Sequence, residues 1–272
     1  MLFSCPKCLG ELIRSGSSYV CPSAHSYDTA RSGYVNLLPP SGASVHGDNR
    51  EMVAARRDFL NTGHYLPLAN RISELAVKHI RKGARVIDVG CGEGYYTEII
   101  EKALSDSGKD ARFAAFDISK DAVRLAAGRC KNVTFAVASA YHVPASDGSF
   151  DAAINMFSPL APEEMRRILN TGATFIIAFP AEEHLFGLKA AIYDTPYKNA
   201  PLPTELSGFR LLECERVRYE MELSTKEEIR ALFMMTPYAY RTSAVGRERV
   251  LGLESLSTEA DFYICVYEKV GE

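Results

Sequence analysis

Apolar positions along the chain fall into two patterns: short continuous runs, and longer stretches with an apolar residue every three or four positions. Arg85–Val89, Phe113–Asp117, Val133–Val137, Phe150–Met156 and Ala173–Phe179 are runs of the first kind and predict buried strands. Residues 50 to 60 have helical spacing, with Met52, Val53, Ala55, Phe59 and Leu60 apolar, and Asn61-Thr62-Gly63-His64-Tyr65 stops them. Pro67 opens a second helix through Ile80, which places Leu68, Ile72, Leu75 and Ala76 on one face. Tyr95 to Leu104 predicts a third helix, and Ser119 caps a fourth through Arg129. Phe209 to Glu222 reads as a sixth strand, and Asp261 to Lys269 as the last. Between them Ser224 to Met235 is a helix with Ser224 and Glu227 as its capping box. Seven strands interleaved with helices predict an α/β fold, a doubly wound sheet that binds ligands at the carboxyl ends of its strands. Residues 182 to 208 break the rhythm and look like an insertion over that end.

The first 38 residues are different. Cys5 and Cys8 are followed by Cys21 and His25 in the spacing C-x2-C-x12-C-x3-H. Two thiolates two residues apart fold a knuckle around one metal ion, and a second knuckle completes a tetrahedron. Three thiolates and an imidazole suit zinc, and four protein ligands make a closed, structural site. A segment this short cannot bury enough core to fold alone, so the metal would supply much of its folding free energy. Tyr19, Val20, Tyr27 and Tyr34 are expected to pack around the knuckles. Pro39-Pro40-Ser41-Gly42-Ala43-Ser44 and Gly47-Asp48-Asn49 hold no regular structure, so residues 39 to 49 read as a linker and 50 to 272 as the main domain.

Composition narrows the picture. The chain has 272 residues, 47% apolar and 24% charged, which excludes disorder and collagen-like structure. Its longest apolar stretch, Ala173 to Ala181, is too short to span a bilayer, and no signal peptide is visible, so a cytoplasmic protein without membrane contact is expected. A net charge of -3 excludes a uniformly basic nucleic-acid coat. Between Arg56 and Arg85, however, seven basic residues (56, 57, 71, 78, 81, 82 and 85) face only Asp58 and Glu74, a local excess that is either a solvated face or a phosphate-contacting surface. The seven cysteines do not suggest a disulfide framework: three belong to the metal pattern, and Cys91, Cys130, Cys214 and Cys265 stand apart.

The most informative motif is Asp88-Val89-Gly90-Cys91-Gly92-Glu93-Gly94, between a strand and a helix. Its glycines let the backbone approach a ligand closely. The dinucleotide fingerprint is G-x-G-x-x-G; here the third glycine comes one residue early and Glu93 lies inside the turn. A carboxylate there would repel a pyrophosphate and suits a cofactor bearing an ammonium and a sulfonium. The motif resembles the first motif of the class I S-adenosylmethionine-dependent methyltransferases. Asp117, 23 residues past Gly94, is placed to accept from both ribose hydroxyls, beside Ile118. Where many such enzymes have an Asp for the adenine amino group, this chain has Ala138-Ser139-Ala140, so the backbone or Ser139 must serve. Asp88 either touches the cofactor or orients the glycine loop. Phe157-Ser158-Pro159 does not match the motif of the adenine and cytosine amino-methyltransferases.

Taken whole, the metal pattern, Gly33-Tyr34-Val35-Asn36-Leu37-Leu38, Arg56-Arg57-x-Phe59-Leu60-x-x-Gly63-His64-Tyr65-x-Pro67-Leu68, the glycine turn and Met235-Thr236-Pro237 resemble the bacterial 23S rRNA guanine-N1 methyltransferases of the RlmA family. The resemblance implies that the zinc module helps bind RNA, that the enzyme is a homodimer, and that the target is a guanine in a hairpin loop of 23S rRNA. One branch of that family is linked to macrolide tolerance. It also implies Cys5, Cys8, Cys21 and His25 as zinc ligands, and Tyr65, Gly92, Glu93 and His184 among the cofactor contacts. Asn155, Ser158 and His184 are candidates by location for assisting loss of the guanine N1 proton. A small-molecule methyltransferase with a structural zinc knuckle, and a catalytically inactive zinc-ribbon RNA-binding protein, remain the alternatives.

Overall fold

A computed structural model describes residues 1–39, 47–201 and 204–271. Most of the expected linker, residues 40–46, and residues 202–203 of the expected insertion lie outside the described residues. The chain begins with a small antiparallel sheet of β1 (Ile13–Ser15), β2 (Ser18–Val20) and β3 (Ser26–Asp28). Then come β4 (Val35–Asn36), α1 (Arg50–Leu60), α2 (Leu66–His79), β5 (Arg85–Val89), α3 (Tyr95–Asp106), β6 (Arg112–Asp117), α4 (Lys120–Arg129) and β7 (Val133–Val137). The second half holds β8 (Phe150–Met156), α5 (Pro162–Ile168), β9 (Leu169–Pro180), α6 (Phe186–Ile192), β10 (Phe209–Leu223), α7 (Lys226–Met234), α8 (Tyr238–Arg241), α9 (Ala244–Leu251) and β11 (Leu256–Lys269).

The large sheet has the order β10-β11-β9-β8-β5-β6-β7-β4. Strands from β4 to β9 pair in parallel, and β11 and β10 close the far edge antiparallel. The chain winds outward from β5 to β7, then returns to lay β8 and β9 on the other side of β5. The strand order therefore reverses between β5 and β8, and the crevice opens there, at the carboxyl ends. The doubly wound sheet predicted from seven strands is present, with one strand more. β4 is only two residues long, too short to show a period, and joins the sheet through β7.

This eighth strand joins the N-terminal module to the large sheet. The N-terminal module does not stand apart from the main domain. β5 and β8 are buried on both faces. One face packs on α2, α3 and α7 through Ile72, Leu75, Ile100, Ile154 and Phe233. On the other, Phe3, Leu12 and Leu37 of the module are buried together with Ile87, Phe116 and Phe175 of the sheet and Met165 of α5. The Phe3 ring meets Phe116 edge-on at 6.5 Å. The Ser4 N–H donates to the Pro144 carbonyl at 2.7 Å, and the Leu37 N–H to that of Val137 at 2.9 Å. The module thus covers sheet surface that a crossover helix would cover in a plainer doubly wound fold.

Other expectations shift by small amounts. The capping box of α7 is Thr225 with Glu228, one residue later than expected, because β10 runs on to Leu223 before the helix can start. β9 and β11 begin earlier than their apolar runs, at Leu169 and Leu256. Cys214 and Cys265, expected as separate thiols, face each other in register across β10 and β11 and form a disulfide. That pairing is set by strand register over a separation of 51 residues, which no local pattern displays. Cys91 and Cys130 are free and buried, as expected for isolated cysteines.

If Phe3 belongs to the same core as the sheet, Phe3→Ala should cost about 3–5 kcal/mol in global stability. Urea unfolding followed by far-UV dichroism measures this. An unchanged midpoint would mean that the module packs independently.

Candidate active site

Two tight turns assemble the metal-binding atoms. The first runs from Cys5 to Gly10 through Leu9 at φ 54°, and the second from Cys21 to His25 through Ala24 at φ 60°. The Cys5 N–H donates to the Gly10 carbonyl at 2.8 Å, and the Cys21 N–H to that of His25 at 3.0 Å. One ligand atom from each of Cys5, Cys8, Cys21 and His25 lies within 4.8 Å of all the others. The Cys8 and Cys21 sulfurs are 3.6 Å apart, and Cys21 Sγ is 3.3 Å from His25 Nδ1. These separations are close to the roughly 3.8 Å edge of a tetrahedron with metal–sulfur bonds of about 2.3 Å. The donor set and its closed geometry fit structural zinc. Tyr27 places its hydroxyl 3.2 Å from Cys5 Sγ, as expected of a ring packed on the knuckle. Tyr34 instead is buried among Val123, Ala126 and Phe135, away from the knuckles.

The glycine turn follows β5. Gly90 has φ +72°, and a Cβ there would sit 2.3 Å from the Ser158 Cβ, so only glycine fits. The Gly92 N–H donates to Asp117 Oδ2 at 3.0 Å, which ties the turn to the end of β6. The other Asp117 oxygen accepts from the Ser119 N–H at 2.8 Å. Gly94 does not line the cleft; a Cβ there would press to 3.0 Å on Ala126, so this glycine lets α3 pack against α4. Asp88 accepts from the Thr97 hydroxyl at 2.5 Å and so fixes the first turn of α3 to β5. This supports its loop-orienting role, although it also reaches the cleft.

A cleft of about 870 Å³ opens over these residues. Glu93, Asp117, Ile118 and Ser139 line one half, and Gly47 and Asp48 fold over it: the Ser119 hydroxyl donates to the Asp48 carbonyl at 2.9 Å, and the Asp48 carboxylate pairs with Arg56 beside Gly92. Among the described residues, Asp88 Oδ1, Glu93 Oε1 and the Tyr96 hydroxyl are buried with no hydrogen-bond partner, and all three residues line the cleft. Buried polar atoms left unpaired are costly, and such atoms facing a cavity mark where a polar ligand would sit. Burial raises the Glu93 carboxyl against the pull of Arg129, 3.7 Å away. The donors, acceptors and glycine cradle present fit S-adenosylmethionine.

The three residues expected by location to assist proton loss are each held by other contacts. Asn155 is buried behind the cleft, where its Oδ1 accepts from the Ser158 N–H at 3.2 Å; it shapes the turn after β8. The Ser158 hydroxyl reaches the cleft but donates to the Val89 carbonyl at 2.7 Å. His184 is buried, with Nδ1 accepting from the Asp261 N–H at 3.4 Å and Nε2 3.4 Å from the Tyr65 hydroxyl. Burial, aided by the charge of Lys189, pushes its pKa down to about 3, so it is neutral at pH 7 and a weak base. Tyr65 lines the cleft while packing edge-on against Phe59 and Phe262. All seven residues of the basic stretch pair with carboxylates: Arg56 with Asp48, Arg57 with Asp58, Arg71 with Glu74 and Glu215, Lys78 with Glu213, Lys82 with Asp110, and both Arg81 and Arg85 with Asp151. The stretch is therefore a neutralised, solvated face and not a free phosphate-binding patch. Tyr197, Asn199, Tyr238 and Arg241 also line the cleft, and the sequence singled out none of them, although Tyr238 directly follows Met235-Thr236-Pro237.

A doubly wound sheet that presents this turn and this acid at its switch point is the frame of a class I S-adenosylmethionine-dependent methyltransferase. Residues 80–232 match the family described as "Methyltransferase domain", and residues 3–41 match the zinc ribbon described as "RlmA, N-terminal". The chain belongs to the RlmA family of methyltransferases, which join such a ribbon to the catalytic domain. A Streptomyces fradiae protein named "23S rRNA (guanine(748)-N(1))-methyltransferase" is 37% identical over 69% of this chain and 66% of its own length. Two proteins named "Putative 23S rRNA (guanine-N(1)-)-methyltransferase", from Micromonospora griseorubida and Bacillus subtilis (the latter with the suffix YxjB), are 31% and 29% identical. They align over 82% and 99% of this chain, and over 80% and 96% of their own lengths. No helix among the described residues is long and apolar enough to cross a membrane.

Burial pushes the Asp88 carboxyl up to about 7, with the charges of Asp117 and Glu93 adding to it and the Thr97 hydroxyl opposing. An acid raised on folding contributes most to stability while protonated, below its unfolded pKa of about 4, and that contribution fades as pH rises through the folded value. Asp88→Asn stays neutral, so its thermal midpoint should improve relative to the wild type between about pH 4 and pH 8. A difference independent of pH, measured by calorimetry without cofactor, would contradict this placement.

Proposed function

We propose that this chain transfers a methyl group from S-adenosylmethionine to N1 of a guanine in a hairpin loop of 23S rRNA. The observation that carries the reading is the union, in one chain, of the RlmA-type ribbon and a cleft whose first half fits the cofactor, in a family whose aligned relatives bear that activity in their names. We assign Cys5, Cys8, Cys21 and His25 as the ligands of a structural zinc ion. Glu93 is assigned to the cofactor's ammonium, Asp117 to its ribose hydroxyls, Ile118 and Ser139 to the adenine, and Tyr65 to the methionine end. Gly90 and Gly92 keep the backbone clear, and Asp88 holds the turn in place through Thr97.

When bound, the cofactor supplies an electrophilic methyl group on sulfonium. The protein's own part is to position the acceptor in line and to ease loss of the N1 proton. A loop guanine must leave its stack to enter the cleft, and Phe157 is built to receive it. This ring follows β8 with φ 62°, is 40% exposed, and leans on Tyr96 and Phe262 at 6.2 and 5.4 Å. Asn155, Ser158 and His184 offer no ready base, so the reading relies on stabilising charge at O6 and on water as proton acceptor. The same reading implies a homodimer acting in the cytoplasm, where ribosomal RNA is found.

Glu93→Ala should weaken S-adenosylmethionine binding about 10- to 100-fold by calorimetry, the range expected for a hydrogen bond to a charged group; unchanged affinity would remove Glu93 from the site. The function itself is tested by primer extension on 23S rRNA from a strain lacking this chain. Methylation at N1 blocks base pairing, so a stop in the parent strain should disappear in the deletion and return on complementation. A stop pattern identical in both strains would refute the reading.

A further inference from the structure

Among the described residues, the guanidinium of Arg241 lines the cleft and pairs with no carboxylate. Two basic side chains line the cleft among the described residues, Arg56 and Arg241; Arg56 is paired with Asp48, and Arg241 makes no ion pair. Arg241 is the last residue of α8, and threonine hydroxyls hold the chain on both sides of that helix. The Thr236 hydroxyl donates to the Phe233 carbonyl at 2.8 Å, Pro237 starts α8, and the Thr242 hydroxyl donates back to the Tyr238 carbonyl at 2.7 Å. The Tyr240 hydroxyl accepts from Asn49 Nδ2 at 2.9 Å, which joins α8 to the segment that folds over the cofactor half.

The surroundings are ordered from below. Lys189 is fully buried and donates to the Tyr197 carbonyl at 3.1 Å and to Asn199 Oδ1 at 2.6 Å, while Asn199 Nδ2 donates to the Ala181 carbonyl at 2.8 Å. Tyr197 and Asn199 are thereby held as a wall of the cleft. The Arg241 charge reaches Tyr197, where it opposes the upward push of burial and of Tyr193 on the phenol. Glu93, Asp117 and Ser139 follow β5, β6 and β7, while Tyr197 and Arg241 come from segments after β9 in the chain, and all of them line the same cleft.

We propose that Arg241 recognises the target guanine, donating from its fork to O6 and N7 and stabilising the charge that gathers on O6 as the N1 proton leaves. The inference rests on the guanine-N1 reading above. An arginine fork matches O6 and N7 of guanine and of no other base. In the step, the N1–H bond breaks and its proton passes to water. The N1 electron pair forms the new N–C bond, and the electrons of the broken S–C bond stay on sulfur. Arg241 keeps all its protons and supplies only donors, as an oxyanion hole does.

The test uses the full-length zinc-loaded protein, a 23S rRNA hairpin transcript, and the variants Arg241→Gln and Arg241→Lys. Arg241→Gln should lower kcat about 100-fold and leave calorimetric S-adenosylmethionine affinity within about twofold. Its rate should also keep rising to higher pH than the wild type's, because N1 must then ionise unaided. Arg241→Lys, which keeps the charge and loses the fork, should fall between. A transcript carrying 7-deazaguanine at the target should slow the wild type and leave Arg241→Gln unaffected. A loss confined to KM, with a shallower salt dependence and unchanged kcat, would make Arg241 a phosphate contact and overturn the proposal. Equal loss of cofactor binding in both variants, or no effect at all, would overturn it as well. If the wild type itself forms no 1-methylguanosine in the transcript, the guanine-N1 reading has failed, a result distinct from failure of the Arg241 assignment.

Discussion

The site depends on one close approach. After β5 the chain must turn in a space bounded by the ends of β6 and β8, and only a residue without a side chain can stand at position 90, because a Cβ there would lie 2.3 Å from the Ser158 Cβ. Once the backbone is forced through that gap, the Gly92 N–H meets Asp117 and the Ser158 hydroxyl meets the Val89 carbonyl. Three neighbouring strand ends are thereby laced together, and the cleft exists because they are. The next turn of chain launches α3, whose Thr97 returns to Asp88 and closes the circuit.

The same packing places Asp88, Glu93 and Asp117 close together with little water, and burial raises all three. Such a cluster costs stability in the empty protein. Amides from Gly92 and Ser119 offset part of the cost at Asp117, and Arg129 part of it at Glu93. Atoms still lacking partners face the cleft, where a cationic and hydroxyl-bearing ligand would complete them. The electrostatics of the fold thus lean toward a bound state, as at other sites where buried charge is retained for function. On the far side of the cleft the logic is reversed: His184 is neutral, the aromatic rings of Tyr65, Phe157 and Phe262 dominate, and Arg241 supplies an unneutralised charge.

Much of this is legible in the sequence where a single local pattern carries the information. The strands β5 to β8 are continuous apolar runs, Ser119 is a cap, and C-x2-C-x12-C-x3-H states the metal geometry outright. What the sequence conceals is set by distant partners. The +5 stretch looks like a phosphate surface until Asp48, Asp110, Asp151, Glu213 and Glu215 arrive from elsewhere in the chain to neutralise it. The pairing of Cys214 with Cys265 depends on register, and the ribbon's burial on the sheet depends on the short β4 and on scattered apolar residues, Phe3, Leu12 and Leu37. Gly94 is in the cofactor motif yet serves helix packing, and Asn155 is at the expected strand end with its Oδ1 engaged by the Ser158 N–H. Arg241 ends a four-residue helix that directly follows Met235-Thr236-Pro237, but nothing in that motif marks the arginine itself, and its place in the cleft appears only in the fold.

The most direct measurement is nucleoside mass spectrometry of a synthetic, unmodified 23S rRNA hairpin incubated with the purified zinc-loaded protein and isotopically labelled S-adenosylmethionine. The account predicts one labelled product, 1-methylguanosine, mapped to the hairpin loop. Label on an exocyclic amine, on a ribose, on a base other than guanine, or on no nucleoside at all would contradict it.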